Sequence, residues 1–170
     1  LSDAMVAKAV REAEAQAGGA LDVVINNAGI GITGPIELQD MEATKLIFDT
    51  NVLGIQRMQL ALLPQMRAAK GGQIFNISSQ LGRVIVPGGG HYSATKFAVE
   101  AMSEQLAYEL VSHGIEVTVI QPGGYPTKVW VNRNAYTGAL KQRSDAAVLE
   151  AYAPFTKGMG TEDGSGRSAD

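Results

Sequence analysis

The sequence predicts an α/β fold, in which three parallel strands with flanking helices form part of a doubly wound sheet. Three short apolar runs, residues 22–27, 73–78 and 116–120, alternate with longer segments whose apolar residues recur at helical spacing. Apolar strands joined by helical crossovers indicate parallel pairing with helices on both faces of the sheet. Because such sheets commonly have about five or six strands, we expect only part of one here.

Each predicted helix has residues at its ends that favour capping. Short polar side chains accept hydrogen bonds from the free N–H groups of a first turn, and glycine adopts the left-handed conformation that ends many helices. The predicted helices run from Ser2 or Asp3 to Gly18, from Asp40 to about Gly71, and from about Tyr92 to His113 with Gly114 as the C-cap. Pro64 is expected to kink or shorten the far end of the second helix.

The composition limits the classes of function. The chain has 170 residues and a net charge of −3, and neither sign forms a long block, which argues against nucleic-acid and membrane-surface partners. It has no cysteine and two histidines, so we predict no metal site and a cytoplasmic location. No apolar stretch approaches the length of a membrane span. We expect one domain over residues 1–160 and a flexible tail over residues 161–170.

A glycine pattern follows the first predicted strand. Gly29, Gly31 and Gly34 match G-x-G-x-x-G, and Asp49 lies 20 residues after the first of these glycines. The pattern has two interpretations, a dinucleotide-binding fingerprint or a flexible loop between strand and helix. The loop is favoured, because residues 35–38 separate the last glycine from the helix and Asp49 falls inside it.

A tyrosine and a lysine are placed to do acid–base chemistry. Tyr92 and Lys96 are four residues apart on a predicted helix, so both lie on one face, and a nearby ammonium lowers a phenol pKa. By itself this pair is also common on helix surfaces. Ser79 follows a predicted strand, where ligands bind in open α/β sheets, and its hydroxyl could bond the oxygen that Tyr92 protonates.

Several motifs together, in this order and spacing, resemble the classical branch of the short-chain dehydrogenase/reductase family. They are Asn26-Asn27-Ala28-Gly29, Asn51 within Thr50-Asn51-Val52-Leu53-Gly54, Ser79, Tyr92 with Lys96, and Pro122-Gly123 with Thr127. The resemblance covers the chain from Leu1 to about Trp130. It implies a Rossmann-type fold, NAD or NADP as cofactor, a small ketone or secondary alcohol as substrate, and a homo-oligomer.

The resemblance also implies a role for each motif. Ser79 binds the reacting oxygen, Tyr92 transfers its proton, and Lys96 lowers the pKa of the tyrosine and holds the nicotinamide ribose. Asn51 joins a water-mediated proton relay. The cofactor would meet Asn26, Ala28, Gly29, Tyr92, Lys96, Pro122, Gly123 and Thr127. The function implied is hydride transfer between the nicotinamide and a carbonyl or alcohol, without a metal.

The sequence also departs from the family pattern. Members begin with a strand, a glycine-rich turn and a second strand, so an N-terminal segment of roughly 60 residues, two β-α units, is expected to be missing. Residues 127–160 resemble a substrate lid. Two alternatives to an active dehydrogenase stay open. One is a non-catalytic or inactive nucleotide-binding fragment, and the other is a sugar-nucleotide epimerase or dehydratase, which shares the tyrosine and lysine spacing.

Overall fold

The computed structural model describes residues 2–156 and 159, and it contains one parallel sheet of three strands. The strands are β1 (Val23–Asn26), β2 (Gly72–Ile77) and β3 (Ile115–Ile120), in the order β1-β2-β3. Val24 pairs with Ile74, and Ile74 in turn pairs with Val117. The three strands and their parallel pairing are therefore confirmed.

The helices lie between and after the strands. They are α1 (Asp3–Ala17), α2 (Met41–Phe48), α3 (Gly54–Ala69), α4 (Gly90–Leu110), α5 (Lys128–Arg143), α6 (Ala146–Ala151) and α7 (Ala153–Thr156). The predicted caps of α1 are confirmed: the Ser2 hydroxyl accepts from the backbone N–H of Met5, and Gly18 is left-handed with φ 77°. Gly114, with φ 68°, ends the single 3₁₀ turn that follows α4.

The main core lies between the sheet and three helices. It joins Val10 of α1, Leu62 and Met66 of α3, and Leu106 and Leu110 of α4 to buried residues of all three strands. The other face of the sheet differs from the expectation of helices on both sides. In the described part of the chain it is largely uncovered, and Val23 and Ile25 of β1 are 51% and 63% exposed. Helices cover one face because α1, α3 and α4 all pack there.

The predicted second helix has an irregularity at a different place from the one expected. A π-helical turn, Asp49–Leu53, separates α2 from α3, whereas α3 continues through Pro64 to Ala69. A proline removes the hydrogen bond to the carbonyl four residues earlier, here that of Leu60. Leu60 lies on the exposed side of α3. The prediction that Pro64 shortens the helix is wrong.

The helices after β3 pack on the loop that follows β1. The backbone N–H of Thr33 donates to the Thr137 hydroxyl at 3.1 Å, and Arg143 forms an ion pair with Asp40 at 2.6 Å. The segment expected to resemble a lid thus contains α5, α6 and α7, and the predicted tail over residues 161–170 lies outside the described residues. None of the described helices is long and apolar enough to cross a membrane.

Candidate active site

Ser79, Tyr92 and Lys96 come together beyond the carboxyl end of β2. Ser79 follows this strand closely, and Tyr92 and Lys96 lie one turn apart near the start of α4. The Ser79 side chain lies near enough to the Tyr92 phenol to lower its pKa, and the Lys96 ammonium lies 5.7 Å from the centroid of the Tyr92 ring. The helical spacing and the strand end therefore place the three groups around one point, as the sequence suggested.

The electrostatics of Tyr92 differ from the sequence-based expectation. Burial raises the pKa of the Tyr92 phenol, while the Ser79 side chain and the positive charge of Arg133 lower it, and the net direction is upward. The expected lowering by Lys96 is not found, and its ammonium donates to the carbonyl of Ile77 at 2.8 Å. Arg133 of α5 is the cation that acts on the phenol. At neutral pH Tyr92 is a proton donor.

Lys96 is a buried cation with a perturbed pKa. The residue is 5% exposed, and burial lowers the pKa of its ammonium from 10.5 to about 8, while the negative charge of Glu100 opposes this shift. An ammonium has three donors. The Ile77 carbonyl accepts one of them at 2.8 Å, and the ammonium has further donors for a ligand hydroxyl.

Asn51 ties the π-helical turn to the loop after β1 and to α4. Its side-chain oxygen accepts from the N–H of Ile30 at 2.8 Å, and its amide donates to the Ile30 carbonyl at 2.9 Å and to the Thr95 hydroxyl at 3.0 Å. Asn51 is 1% exposed, so these bonds satisfy a polar group that would be costly to bury alone. They place Asn51 beside the residue that precedes Lys96.

The backbone of Gly29 lies between Asn51 and Lys96. A Cβ atom at Gly29 would stand 3.4 Å from Asn51 Oδ1 and 3.7 Å from Lys96 Nζ. Ala28, the preceding residue, is exposed. Gly29 is therefore brought to the site, and Ala28 lies at its edge on the surface.

Asn26 has a structural partner in the sheet. Its amide donates to Asn76 Oδ1 at 2.8 Å, and the Asn76 amide donates to the Ser103 hydroxyl at 2.8 Å, which in turn donates to the carbonyl of Val99. The chain of hydrogen bonds links β1, β2 and α4. The Asn26 side chain therefore stabilises the sheet in this structure.

The loop after β3 reaches Ser79 through its neighbour Gln80. The N–H of Gln80 donates to the Pro122 carbonyl at 3.0 Å, and a Cβ at Gly123 would lie 3.5 Å from Gln80 Oε1. Thr127 has another role in this structure, since its hydroxyl accepts from the N–H of Val129 and caps α5. Pro122 and Gly123 are thus brought near Ser79, while Thr127 is an exposed helix cap.

The glycine pattern does not form a dinucleotide fingerprint. Residues 29–35 are a loop, and a 3₁₀ turn, Ile36–Leu38, lies between it and α2. Asp49 forms an ion pair with Arg57 at 2.6 Å, and this lowers the pKa of the Asp49 carboxyl. The loop interpretation is therefore confirmed, because the glycines are not at the start of a helix and the acidic residue has a structural partner.

A cavity opens on a different side of the loop after β1. Its volume is about 300 Å³, and its lining includes Asn26 to Ala28 together with residues of α3 such as Ile55 and Met58. Ser79, Tyr92 and Lys96 do not line it. The cavity therefore adjoins the predicted cofactor segment but is separate from the acid–base groups.

Three residues near the site were not singled out from the sequence. They are Thr95, which binds Asn51, Arg133, whose charge acts on Tyr92, and Glu100, a buried acid near Lys96. The spacing could have indicated Glu100, since it continues the four-residue repeat of Tyr92 and Lys96. Arg133 carried no such signal, because its position depends on how α5 packs.

Comparison with protein families identifies the class of protein. A family model described as short chain dehydrogenase matches residues 2–137. The chain therefore belongs to the short-chain dehydrogenase family, and the resemblance that the motifs suggested is confirmed.

Individual relatives agree with this assignment. A 3-ketodihydrosphingosine reductase of Bacteroides thetaiotaomicron is 47% identical over 116 residues, which are 68% of this chain and 43% of that protein. The crystal structure of a short-chain dehydrogenase from Streptomyces avermitilis has a TM-score of 0.71 and 36% identity, covering 75% of this chain and 48% of the other. The chain spans about half the length of the relatives it matches.

A third likeness is to a protein solved with a cofactor. A short-chain dehydrogenase/reductase from Burkholderia phymatum, crystallised with NAD, has a TM-score of 0.74 and 25% identity. The match covers 92% of this chain and 58% of the other. These likenesses confirm the Rossmann-type parallel sheet that the sequence predicted.

Proposed function

We propose that this chain carries the acid–base part of an oxidoreductase that transfers hydride between NAD or NADP and a ketone or secondary alcohol. One observation carries the proposal: Ser79 acts on the Tyr92 phenol from the end of β2, and the Lys96 ammonium lies 5.7 Å from the centroid of the Tyr92 ring. Family membership adds weight, since named relatives are dehydrogenases and reductases. The nicotinamide, when bound, supplies or accepts the hydride.

Tyr92 and Ser79 act on the reacting oxygen. In reduction, the Ser79 hydroxyl orients the carbonyl oxygen and Tyr92 donates the proton that this oxygen needs as hydride reaches the carbon. In oxidation, the same phenol oxygen takes the proton from the alcohol. The raised pKa of Tyr92 keeps the phenol protonated at neutral pH, which is the form that reduction uses.

The residues around Lys96 fit a ribose. The ammonium is fixed by the Ile77 carbonyl and has further donors for hydroxyl oxygens, and Gly29 brings only backbone close to it. The proposed cofactor contacts are Asn26, Ala28, Gly29, Tyr92, Lys96, Pro122, Gly123 and Thr127. Asn51, held by Ile30 and Thr95, is proposed to join the proton path to Lys96, as in the family.

The test is turnover by the full-length product of the reading frame that encodes these residues. NADH and NADPH absorbance is followed against a panel of ketones, and Tyr92→Phe is compared with Tyr108→Phe on the exposed side of the same helix. We expect Tyr92→Phe to lower kcat by at least about 100-fold while cofactor binding, measured by NAD(P)H fluorescence, persists. Equal rates for the two variants would refute the role of Tyr92.

Other results would favour the alternatives. Cofactor binding without turnover on any ketone would support a non-catalytic nucleotide-binding protein. Cofactor that stays bound through a reaction on a nucleotide sugar would support an epimerase or dehydratase. The cytoplasmic location and the homo-oligomer stay predictions; the exposed Leu60 on α3 is an apolar residue available to a neighbouring subunit.

A further inference from the structure

A buried acid lies one helical turn beyond Lys96. Tyr92, Lys96 and Glu100 follow each other at four-residue intervals on α4, so their side chains share one face. Glu100 is 5% exposed, although charged side chains are rarely buried without partners. The Tyr92 and Lys96 chemistry does not by itself require an acid here. The burial of Glu100 therefore needs an explanation, which its contacts supply.

The Glu100 carboxylate binds the end of β3. The Gln121 amide donates to both Glu100 oxygens at 2.9 Å, and Gln121 is the residue before Pro122. This pair fixes the start of the loop that reaches Gln80 and Ser79. A substitution at Glu100 therefore affects this loop through the side chain of Gln121.

The same carboxylate supports the turn that carries Ser79. A Cβ at Gly82 would lie 3.0 Å from Glu100 Oε1 and 2.6 Å from Ser78 Oγ, so the turn after Ser79 packs directly on the acid. Arg83, at the end of this turn, donates to Glu100 Oε2 at 3.0 Å. The turn can approach so closely only because residue 82 is glycine.

We propose that Glu100 is a positioning residue of the acid–base site. Its carboxylate holds the turn after Ser79 and the loop at Pro122 against α4, and its negative charge favours the ammonium form of Lys96. This inference rests on the proposed function, since it assigns a purpose to Lys96. Glu100 acts through its neighbours and is not itself in contact with the Tyr92 phenol.

The charges around Lys96 support the electrostatic role proposed for Glu100. Burial lowers the pKa of Lys96 to about 8, and Glu100 is the group whose charge raises it. Arg83 faces Glu100 from the turn, and Arg133 acts on Tyr92 from α5. Glu100 is therefore the acid that favours the protonated lysine, and Arg83 partly neutralises it.

The test is a titration of Lys96 by NMR in the 170-residue chain, with lysine labelled with ¹³C at the ε-carbon and assigned with a Lys96→Met variant. Glu100→Gln keeps the size and an acceptor for Gln121 but removes the charge. We expect the pKa of Lys96 to fall by about one unit. Glu104→Gln, which removes an exposed acid one turn further along α4, is the matched control and should leave it unchanged.

A second variant gives a shift of the opposite sign. Arg83→Met removes an exposed cation from Glu100, so the pKa of Lys96 should rise by about 0.3 unit. Opposite shifts in the two variants cannot come from general loosening of the fold. If Glu100→Gln does not fold, a Lys96 pKa that is unchanged or lower in Arg83→Met overturns the proposal. If Glu100→Gln folds, an unchanged Lys96 titration overturns it.

A catalytic measurement separates this inference from the proposed function. In the full-length protein, Glu100→Gln should lower the pKa seen in the pH profile of kcat/KM by the same amount as it lowers the pKa of Lys96. Glu104→Gln should leave this profile unchanged. Absence of turnover in the parent protein contradicts the proposed function, while the NMR titration still decides the coupling of Glu100 to Lys96. A normal pH profile for an active Glu100→Gln variant contradicts this inference alone.

Discussion

The buried lysine makes the stability of the protein depend on pH. The pKa of Lys96 is about 8 in the folded chain, against an ordinary value of 10.5, because burial disfavours the ammonium. Between these pH values the unfolded chain binds the proton and the folded chain has lost it. Stability rises with pH wherever the unfolded state binds more protons. The contribution of Lys96 to the free energy of unfolding therefore increases from about pH 8 to pH 10.5.

The size of this effect follows from the pKa difference. Each pKa unit corresponds to about 1.4 kcal/mol, so the difference predicts a gain of about 3 kcal/mol across the window. Lys96 is 5% exposed, and little of this should be lost to solvent screening. A Lys96→Met variant removes the titrating group while it keeps a long apolar side chain. The pH-dependent gain should disappear in this variant.

The assay is urea unfolding of the parent chain and Lys96→Met at pH 7.5 and pH 10.5. Other groups titrate over this range, so the informative quantity is the difference between the two proteins. Relative to the variant, the parent should gain about 3 kcal/mol from the lower to the higher pH. Lys128→Met removes one exposed positive charge and is the control. A parent-to-variant difference that is the same at both pH values would refute the burial argument.

Three further predictions concern the site and the core. Asn51→Ala leaves three hydrogen-bonding groups without their partner, and the free energy of unfolding should fall by about 3 kcal/mol in urea titrations. Arg133→Met should raise the pKa of Tyr92 further, which a spectrophotometric phenol titration can detect. Leu62→Ala, in the core, should cost about 2–5 kcal/mol by thermal or urea unfolding, and Leu60→Ala on the exposed side less than about 0.5 kcal/mol.

Local patterns in the sequence were sufficient for the elements and their caps. Ser2 and Gly18 cap α1 as predicted, because capping depends on the residue and its immediate neighbours. The acid–base groups were also predictable, since Tyr92 and Lys96 are one turn apart on one helix. These features use interactions of short range along the chain.

Several features that depend on distant partners were not predicted from the sequence. The π-helical turn at Asp49–Leu53 places Asn51 on Ile30 and Thr95, and these partners are 21 and 44 residues away in sequence. The effect of Arg133 on Tyr92 depends likewise on how α5 packs on the loop after β1. The coverage of one sheet face depends on where α1, α3 and α4 pack, which no single segment encodes.

The two halves of α4 bury different kinds of side chain. Its first half buries polar side chains, including Lys96 and Glu100, whereas its last turns bury Leu106 and Leu110 in the main core. Each half needs the other: the apolar turns fix the helix on the sheet, and this fixed position lets the polar turns meet their partners at the strand ends. A buried polar group without such partners costs about 1–3 kcal/mol. A weakened core should therefore disturb the acid–base site before the chain unfolds, because the polar contacts tolerate little displacement of α4.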